Sequence, residues 1–140
     1  MQLTTVKDWM KDLVVFVNPD ASVNEGLALM RHRYMNALIV EITDTNPNYG
    51  IVTSIDICDK IVAQEKNPAE MKIREIMASP VTTVPSTMSL PECAALMKSL
   101  RVHHLPVVDE KGKIVGMISA TDFLTVAEAM GTNFKERSLR

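Results

Sequence analysis

The chain repeats itself once, and this repeat constrains the fold more than any other feature of the sequence. When the stretch that begins at Val6 is shifted by 67 residues, it aligns with the stretch that begins at Ile73. The match includes an identical Ala-Leu-Met triplet at 28–30 and 95–97. Beyond the next loop the shift falls to 66, and the aligned pairs are Gly50 with Gly116 and Asp56 with Asp122. Because loops tolerate a change of length by one residue, we treat the two stretches as copies of one motif.

Each copy predicts the same order of elements: a short helix, a strand, an amphipathic helix, two further strands and a closing helix. The amphipathic helices begin at two capping boxes, Ser22-x-x-Glu25 and Ser89-x-x-Glu92. The turn sequence DEKGK between the last two strands of the second copy is typical of a hairpin. The predicted elements are helix 6–12, strand 13–17, a helix from 22, strands 37–42 and 50–53 and helix 57–65 in the first copy, and helix 72–78, strand 80–84, a helix from 89, strands 105–109 and 113–119 and helix 123–130 in the second.

One copy alone could not cover both faces of a three-stranded sheet. Two copies packed sheet to sheet could do so. The sequence therefore predicts an α+β fold of two β-α-β-β-α motifs with pseudo-two-fold symmetry and two equivalent clefts between them. The predicted ranges are 1–66 and 67–130 for the two motifs, followed by a polar tail at 131–140 that has no core-facing pattern.

Neither the charge nor the apolar pattern of the chain favours binding to nucleic acid or to a membrane. The net charge is −2, so nothing favours non-specific binding to nucleic acid or to a membrane surface. The apolar run from Leu13 to Val17 is far shorter than the roughly 18 residues of a membrane span, and its flanks do not resemble a signal peptide. We therefore expect a cytoplasmic protein. Cys58 and Cys93 fit buried helix positions better than a disulfide or a metal pair, and we expect no metal.

A seven-residue motif ends the strands of each copy, GIVTSID from Gly50 and GMISATD from Gly116. A hydroxyl residue followed by an acid three residues later is the signature of a helix N-cap. The acid is Asp in both motifs, and we expect Asp to reach back to the cap less well than the Glu of the two capping boxes. A strand that leads into a helix N-terminus also presents free N–H groups to an anion, and an Asp there could accept both hydroxyls of a ribose. The residues alone leave both interpretations open, a bare helix cap and a ligand site.

The repeat resembles the CBS domain family, in the form of a stand-alone tandem pair of CBS motifs (a Bateman module). The resemblance covers about Val6 to Met130 and is carried by "SVNEGLALM…ALIV…GIVTSID" and "SLPECAALM…RVHHLPVVD…GKIVGMISATD". In CBS pairs, Gly-h-x-Thr/Ser-x-x-Asp, with h an apolar residue, is the ribose-phosphate signature of adenosine sites. The resemblance therefore implies that AMP, ADP, ATP or S-adenosylmethionine binds in one or both clefts.

The resemblance also implies which residues form these sites, because each Thr/Ser-x-x-Asp is expected to work with the first strand and the second-strand entry of the other copy. His103-His104 is similar to the basic pair that reaches phosphate in the nucleotide-sensing subunit of AMP-activated kinase, although a structural role for either histidine is an equal alternative. Arg33 and Arg101 are further phosphate candidates, or solvated charges favoured by the helix dipole. The two expected sites are Thr53 and Asp56 with Val81, Thr83, Val102, His103 and His104, and Ser119 and Asp122 with Val14, Phe16, Met35, Asn36 and Ala37.

Three functions follow from these observations. The first is a non-catalytic sensor, in which an adenosine ligand biases the arrangement of the halves or of the protomers of a homodimer. The second is a ligand-free module that dimerises through its helices and docks an unknown client protein. The third is an enzyme, which is disfavoured because the sequence has no glycine-rich phosphate loop, no metal-spaced cluster and no nucleophile elbow. We expect the first.

Overall fold

The computed structural model describes residues 5–135 of the chain. Its strands form two three-stranded sheets, so the predicted α+β class is confirmed. The chain divides into two compact units, one continuous in sequence and the other built from two separate stretches. We call Val14–Val81 the middle unit, and we call the residues up to Leu13 together with those from Thr82 onward the split unit.

Each copy of the repeat supplies three strands and two longer helical segments, in the predicted order. The elements are α1 Val6–Trp9, β1 Phe16–Val17, α2 Val23–Arg33, β2 Ala37–Val40, β3 Gly50–Thr53, α3 Ser54–Ile57, a π-helix at Cys58–Val62, a 3-10 helix at Ile73–Glu75, β4 Val84–Pro85, α4 Leu90–Leu100, β5 His104–Val108, β6 Ile114–Ser119 and α5 Ala120–Lys135.

The middle unit is built on the sheet β1-β2-β3. β1 pairs in parallel with β2, and β2 pairs antiparallel with β3. All four residues of β2 are buried, as expected for the central strand of a sheet covered by helices. The strand side chains Leu38, Val40 and Val52 form one core cluster with Ile73 and Ile76.

The split unit repeats this arrangement with the sheet β4-β5-β6. β4 is parallel to β5, and β5 is antiparallel to β6 with an irregularity between Val107 and Val108. Its core cluster includes Leu105 and Ile118 from the sheet, together with Val6 from α1. The two units therefore share one architecture.

The leading helical segment of each copy packs into the unit that holds the sheet of the other copy. Val6, from the first copy, lies in the core of the split unit, and its exposed fraction is 0%. Ile73 and Ile76, from the second copy, lie in the core of the middle unit. The predicted ranges 1–66 and 67–130 follow the copies of the repeat. The compact units differ from these ranges, because each unit contains the leading segment of the other copy.

Several element bounds differ from the prediction. β1 keeps only the last two residues of the predicted strand 13–17, and β4 consists of Val84, the last residue of the predicted strand 80–84, and Pro85 beyond it. α5 continues beyond Met130 to Lys135, because the single Gly131 costs a helix only about 1 kcal/mol and does not end it. The first residues of the predicted polar tail are therefore helical, and residues 136–140 lie outside the described residues.

One of the two cysteine predictions is wrong. Cys93 is buried on α4, as predicted, but Cys58 is exposed. Cys58 opens the π-helix that follows α3, in which Ile61 is the residue buried in the core and Cys58 lies on the solvent side. Both thiols are free.

Candidate functional site

The two Thr/Ser-x-x-Asp motifs occupy matching positions at a strand-to-helix junction. Thr53 is the last residue of β3 and is followed directly by α3. Ser119 is the last residue of β6 and is followed directly by α5. Both closing helices therefore begin earlier than the predicted positions 57 and 123, because the motif itself forms their first turn.

Each motif carboxylate reaches back to its own N-cap residue through one oxygen. Asp56 Oδ2 accepts from the backbone N–H of Thr53 at 2.9 Å and from its hydroxyl at 3.4 Å. Asp122 Oδ2 accepts from the backbone N–H of Ser119 at 2.8 Å and from its hydroxyl at 3.1 Å. The helix-cap interpretation is therefore correct for both motifs, although it does not exclude a second role.

The expectation that Asp reaches back less well than Glu is wrong. Thr53 continues the extended strand, with φ −123° and ψ 171°, whereas Ser22 and Ser89 both have φ −69°. The backbone of Thr53 is thus more extended than that of the two serines, and its N–H lies within reach of the short Asp56 carboxylate. At α2 and α4 the serine hydroxyls accept from the backbone N–H of Glu25 and Glu92, and the Ser89 hydroxyl also donates to the Glu92 carboxylate at 3.0 Å.

The second oxygen of each carboxylate is held by a lysine, which sequence reasoning missed. Lys60 Nζ lies 3.1 Å from Asp56 Oδ1 and also donates to the backbone oxygen of Ile76 at 2.8 Å. Lys11 Nζ lies 2.7 Å from Asp122 Oδ1. The first pair has i,i+4 spacing and could have been found in the sequence. The second joins residues 111 positions apart and had no local signal.

The two motif glycines let the leading segments lie across the sheets. Lys11 pairs with Met117 of β6, and Ala78 pairs with Ile51 of β3. A Cβ on Gly116 would lie 2.8 Å from the backbone oxygen of Lys11, and a Cβ on Gly50 would lie 3.2 Å from that of Ala78. The glycine of each motif therefore admits a crossing backbone, and at Gly116 that backbone carries Lys11.

Within each unit, the motif lies beside the entry of the preceding strand. Thr53 is directly opposite Ala37 in the β2–β3 ladder, and the N–H of Ser54 donates to the oxygen of Asn36 at 3.0 Å. Ser119 is likewise opposite His104, and the N–H of Ala120 donates to the oxygen of His103 at 2.9 Å. These contacts join predicted residues of one copy. The pairing across copies that the resemblance implies is untested and stays a prediction.

His104 has a perturbed titration. Burial lowers the pKa of its imidazole, and the neighbouring His103 lowers it further, while Asp122 acts in the opposite direction. The neutral ring is therefore favoured at this position, and His104 is a weaker phosphate ligand at neutral pH than the sequence suggested.

The other predicted residues are divided between the units. Arg33 ends α2, and Arg101 caps α4 in the left-handed conformation with φ 57°; both side chains are exposed. Phe16 lies 6.4 Å from Tyr49 between ring centroids. In the middle unit lie Val14, Phe16, Arg33, Met35, Asn36, Ala37 and Val81, and in the split unit lie Thr83, Arg101, Val102, His103 and His104.

A pocket of about 460 Å³ in the split unit lies between the end of α4 and the start of α5. Its walls are apolar, and three cationic or titratable side chains lie among them. It brings together the predicted residues Arg101, Val102 and His103, and Lys98 joins them as a cation that sequence reasoning missed. The lining residues are Ala94, Met97, Lys98, Arg101, Val102, His103, Ala120 and Phe123.

Among residues 5–135, no three His, Cys, Asp or Glu side chains are grouped as metal ligands would be. No helix within that range has the length and apolar character of a membrane span.

Comparison with known proteins matches both copies of the repeat to the same family. The CBS domain family model matches residues 6–63 and 73–129. The uncharacterized protein MK0525 of Methanopyrus kandleri is 29% identical over 136 residues, which are 97% of this chain and 69% of that protein.

Solved structures with high similarity are also CBS proteins. The hexameric CBS-CP12 protein from bloom-forming cyanobacteria has a TM-score of 0.83 and 31% identity, over 89% of this chain and 72% of that one. The CBS domain pair of protein MJ0100, in complex with 5′-methylthioadenosine and S-adenosyl-L-methionine, has a TM-score of 0.79 and 26% identity, over 92% and 99% of the two chains.

Proposed function

We propose, from the premise that this chain belongs to the CBS domain family with one CBS motif in each copy of its repeat, that it is a non-catalytic sensor of an adenosine ligand. The ligand is AMP, ADP, ATP or S-adenosylmethionine. Its ribose diol is bound by the carboxylates of Asp56 and Asp122, in clefts formed by the two CBS motifs. Binding biases the arrangement of the motifs or of associated protomers.

One observation carries this proposal: the same hydroxyl-and-carboxylate pair recurs at the same strand-to-helix junction of both units. In each, the residue opposite the hydroxyl residue belongs to a strand entry that the family resemblance includes in the partner site, Ala37 opposite Thr53 and His104 opposite Ser119. A relative, the CBS pair of MJ0100, was solved with two adenosine compounds. Both facts support an adenosine ligand for this chain.

The split-unit pocket favours a phosphorylated ligand among the candidates. Lys98, Arg101 and His103 line a cavity with apolar walls, which suits a ligand with an anionic end. Arg is well suited to phosphate because its guanidinium can donate two parallel hydrogen bonds. We therefore rank AMP, ADP and ATP above S-adenosylmethionine.

The proposal is tested by thermal unfolding in the presence of AMP, ADP, ATP, S-adenosylmethionine and guanosine triphosphate. An adenosine ligand at one hundred times its Kd should stabilise the fold by about 2.7 kcal/mol. Asp56→Asn and Asp122→Asn should each remove part of this shift, because an amide accepts fewer hydrogen bonds than a carboxylate. The matched control is Glu92→Gln, which changes the acid of the α4 cap and should leave the shift intact. An adenine panel that shifts nothing at millimolar concentration would refute the proposal.

We also propose that the chain self-associates as a homodimer of CBS modules and acts in the cytoplasm. α5 leaves Leu124 70% exposed, and we place this side chain in the proposed interface, where its burial would remove apolar surface from water. The hexameric CBS-CP12 relative supports assembly in this family. The free, exposed thiol of Cys58 fits a reducing compartment.

A further inference from the structure

Each of the two proposed ribose-binding carboxylates already forms an ion pair with a lysine. Asp122 is only 4% exposed, and its Oδ1 contacts the ammonium of Lys11 at 2.7 Å. Asp56 is 16% exposed, and its Oδ1 contacts the ammonium of Lys60 at 3.1 Å. A ligand that binds these carboxylates must therefore either displace the lysine ammonium or share the carboxylate with it.

A count of hydrogen-bond sites shows that the ammonium and a ribose diol compete. A carboxylate offers about four acceptor positions, two on each oxygen. On Asp122, the N–H and the hydroxyl of Ser119 take both positions of Oδ2, and Lys11 takes one of Oδ1. One position is left, whereas a diol brings two O–H donors. The same count holds at Asp56 with Thr53 and Lys60.

We propose that Lys11 and Lys60 are affinity-setting residues that occupy the diol position in the ligand-free protein and are displaced when ligand binds. This inference rests on the proposed function, since it assumes that a ribose binds Asp56 and Asp122. The exchange breaks the contact from ammonium to Oδ1 and forms two hydrogen bonds from the diol to the same oxygen. The helix cap made by Oδ2 is unchanged throughout.

The two lysines are not related by the internal repeat. Position 78 aligns with Lys11 and holds Ala, and position 126 aligns with Lys60 and holds Val. Val126 is buried in the split-unit core and could not be replaced by a lysine without cost. Each unit thus supplies its ammonium from a different element, so the two affinities are set separately.

The geometry predicts that the Asp56 site has the higher affinity. Lys60 has a second acceptor, the backbone oxygen of Ile76 at 2.8 Å, so it can leave Asp56 and keep one hydrogen bond. The Asp56 carboxylate is also more exposed than the Asp122 carboxylate, 16% against 4%, although Lys11 at 73% is more exposed than Lys60 at 41%. A buried carboxylate that loses its partner carries the larger desolvation penalty, so we expect the contact of Lys11 with Asp122 to be the harder one to break.

The test isolates one site at a time by calorimetric titration with ATP, AMP and 5′-methylthioadenosine. Lys60→Met is measured in the Asp122→Asn background, and Lys11→Met in the Asp56→Asn background. Removal of the competing ammonium should tighten binding by about two- to fivefold at Asp56 and by up to about tenfold at Asp122. Lys11→Met should also lower the Tm of the ligand-free protein by about 2–4 °C, because it leaves a buried carboxylate without its partner.

Variants that are expected to weaken binding, together with matched controls, keep the result interpretable if one Lys→Met variant folds poorly. Lys60→Arg and Lys11→Arg should weaken binding, because a guanidinium holds a carboxylate with two parallel bonds. Lys66→Met and Lys113→Met, exposed lysines outside both sites, should change nothing. Equal or weaker binding in the Lys→Met variants, with wild-type binding intact, overturns the inference alone. A wild-type protein that binds none of the three probes overturns the proposed function.

Discussion

At the scale of single residues, Gly116 has a more confined environment than its counterpart Gly50. A Cβ on Gly116 would meet the backbone oxygen of Lys11 at 2.8 Å, and backbone cannot move aside as a flexible side chain can. At Gly50 the nearest atom is the Met77 sulfur at 2.9 Å, and the Ala78 oxygen lies farther away at 3.2 Å. The motif glycine in the split unit is therefore required by packing, independently of any ligand.

Gly116→Ala should destabilise the protein by about 1–3 kcal/mol, because the added methyl pushes the crossing segment off β6. Gly50→Ala should cost less. The control is Gly131→Ala, on α5, where an added Cβ meets no atom within 4 Å and should add about 0.5–1 kcal/mol of stability. Urea unfolding of the three variants measures these differences. A neutral Gly116→Ala would show that the leading segment is not packed against β6 as described.

At the scale of elements, the correct predictions were those of helix caps and strand positions that local sequence patterns determine. The caps at Ser22 and Ser89 and the strand at 50–53 are where they were predicted, because capping residues and apolar runs act over a few positions. The first strands were predicted too long, since their length depends on partners that are distant in the sequence. Lys11 was missed at the candidate site for the same reason, whereas Lys60 was within one helical turn of Asp56 and could have been recognised.

The exchanged leading segments give an element-scale prediction. Ile73→Ala should destabilise the middle unit by about 2–4 kcal/mol, because Ile73 is 1% exposed and packs with the sheet of the first copy. Hydrogen exchange should accelerate first in β2 and β3, although residue 73 belongs to the second copy of the repeat. Val6→Ala is the matched variant and should accelerate exchange in β5 and β6 instead. Faster exchange confined to β5 and β6 in Ile73→Ala would contradict the assignment of units.

At the scale of the whole molecule, the internal repeat predicted an α+β protein with two equivalent halves. This succeeded because the repeat reports the number and order of elements directly. The repeat could not report that the compact units exchange their leading segments, since both arrangements satisfy the same apolar pattern. It also could not report that the two carboxylates hold non-equivalent lysines, because Lys11 and Lys60 have no counterpart in the other copy.

Self-association gives a prediction at this scale. Leu124→Glu should shift the protein from dimer to monomer in sedimentation velocity, because a charge on this exposed apolar position opposes burial in an interface. Thr125→Glu, at the neighbouring exposed position of α5, is the control and should have a smaller effect. A wild-type protein that sediments as a monomer at micromolar concentration would contradict the proposed homodimer.

The number of ligands bound per chain tests most directly whether Asp56 and Asp122 each bind a ribose. Equilibrium dialysis with the adenine compound that gives the largest thermal shift should find two ligands per chain in the wild type. It should find one in Asp56→Asn, one in Asp122→Asn and none in the double variant. A double variant that still folds and binds as many ligands as the wild type would contradict the account.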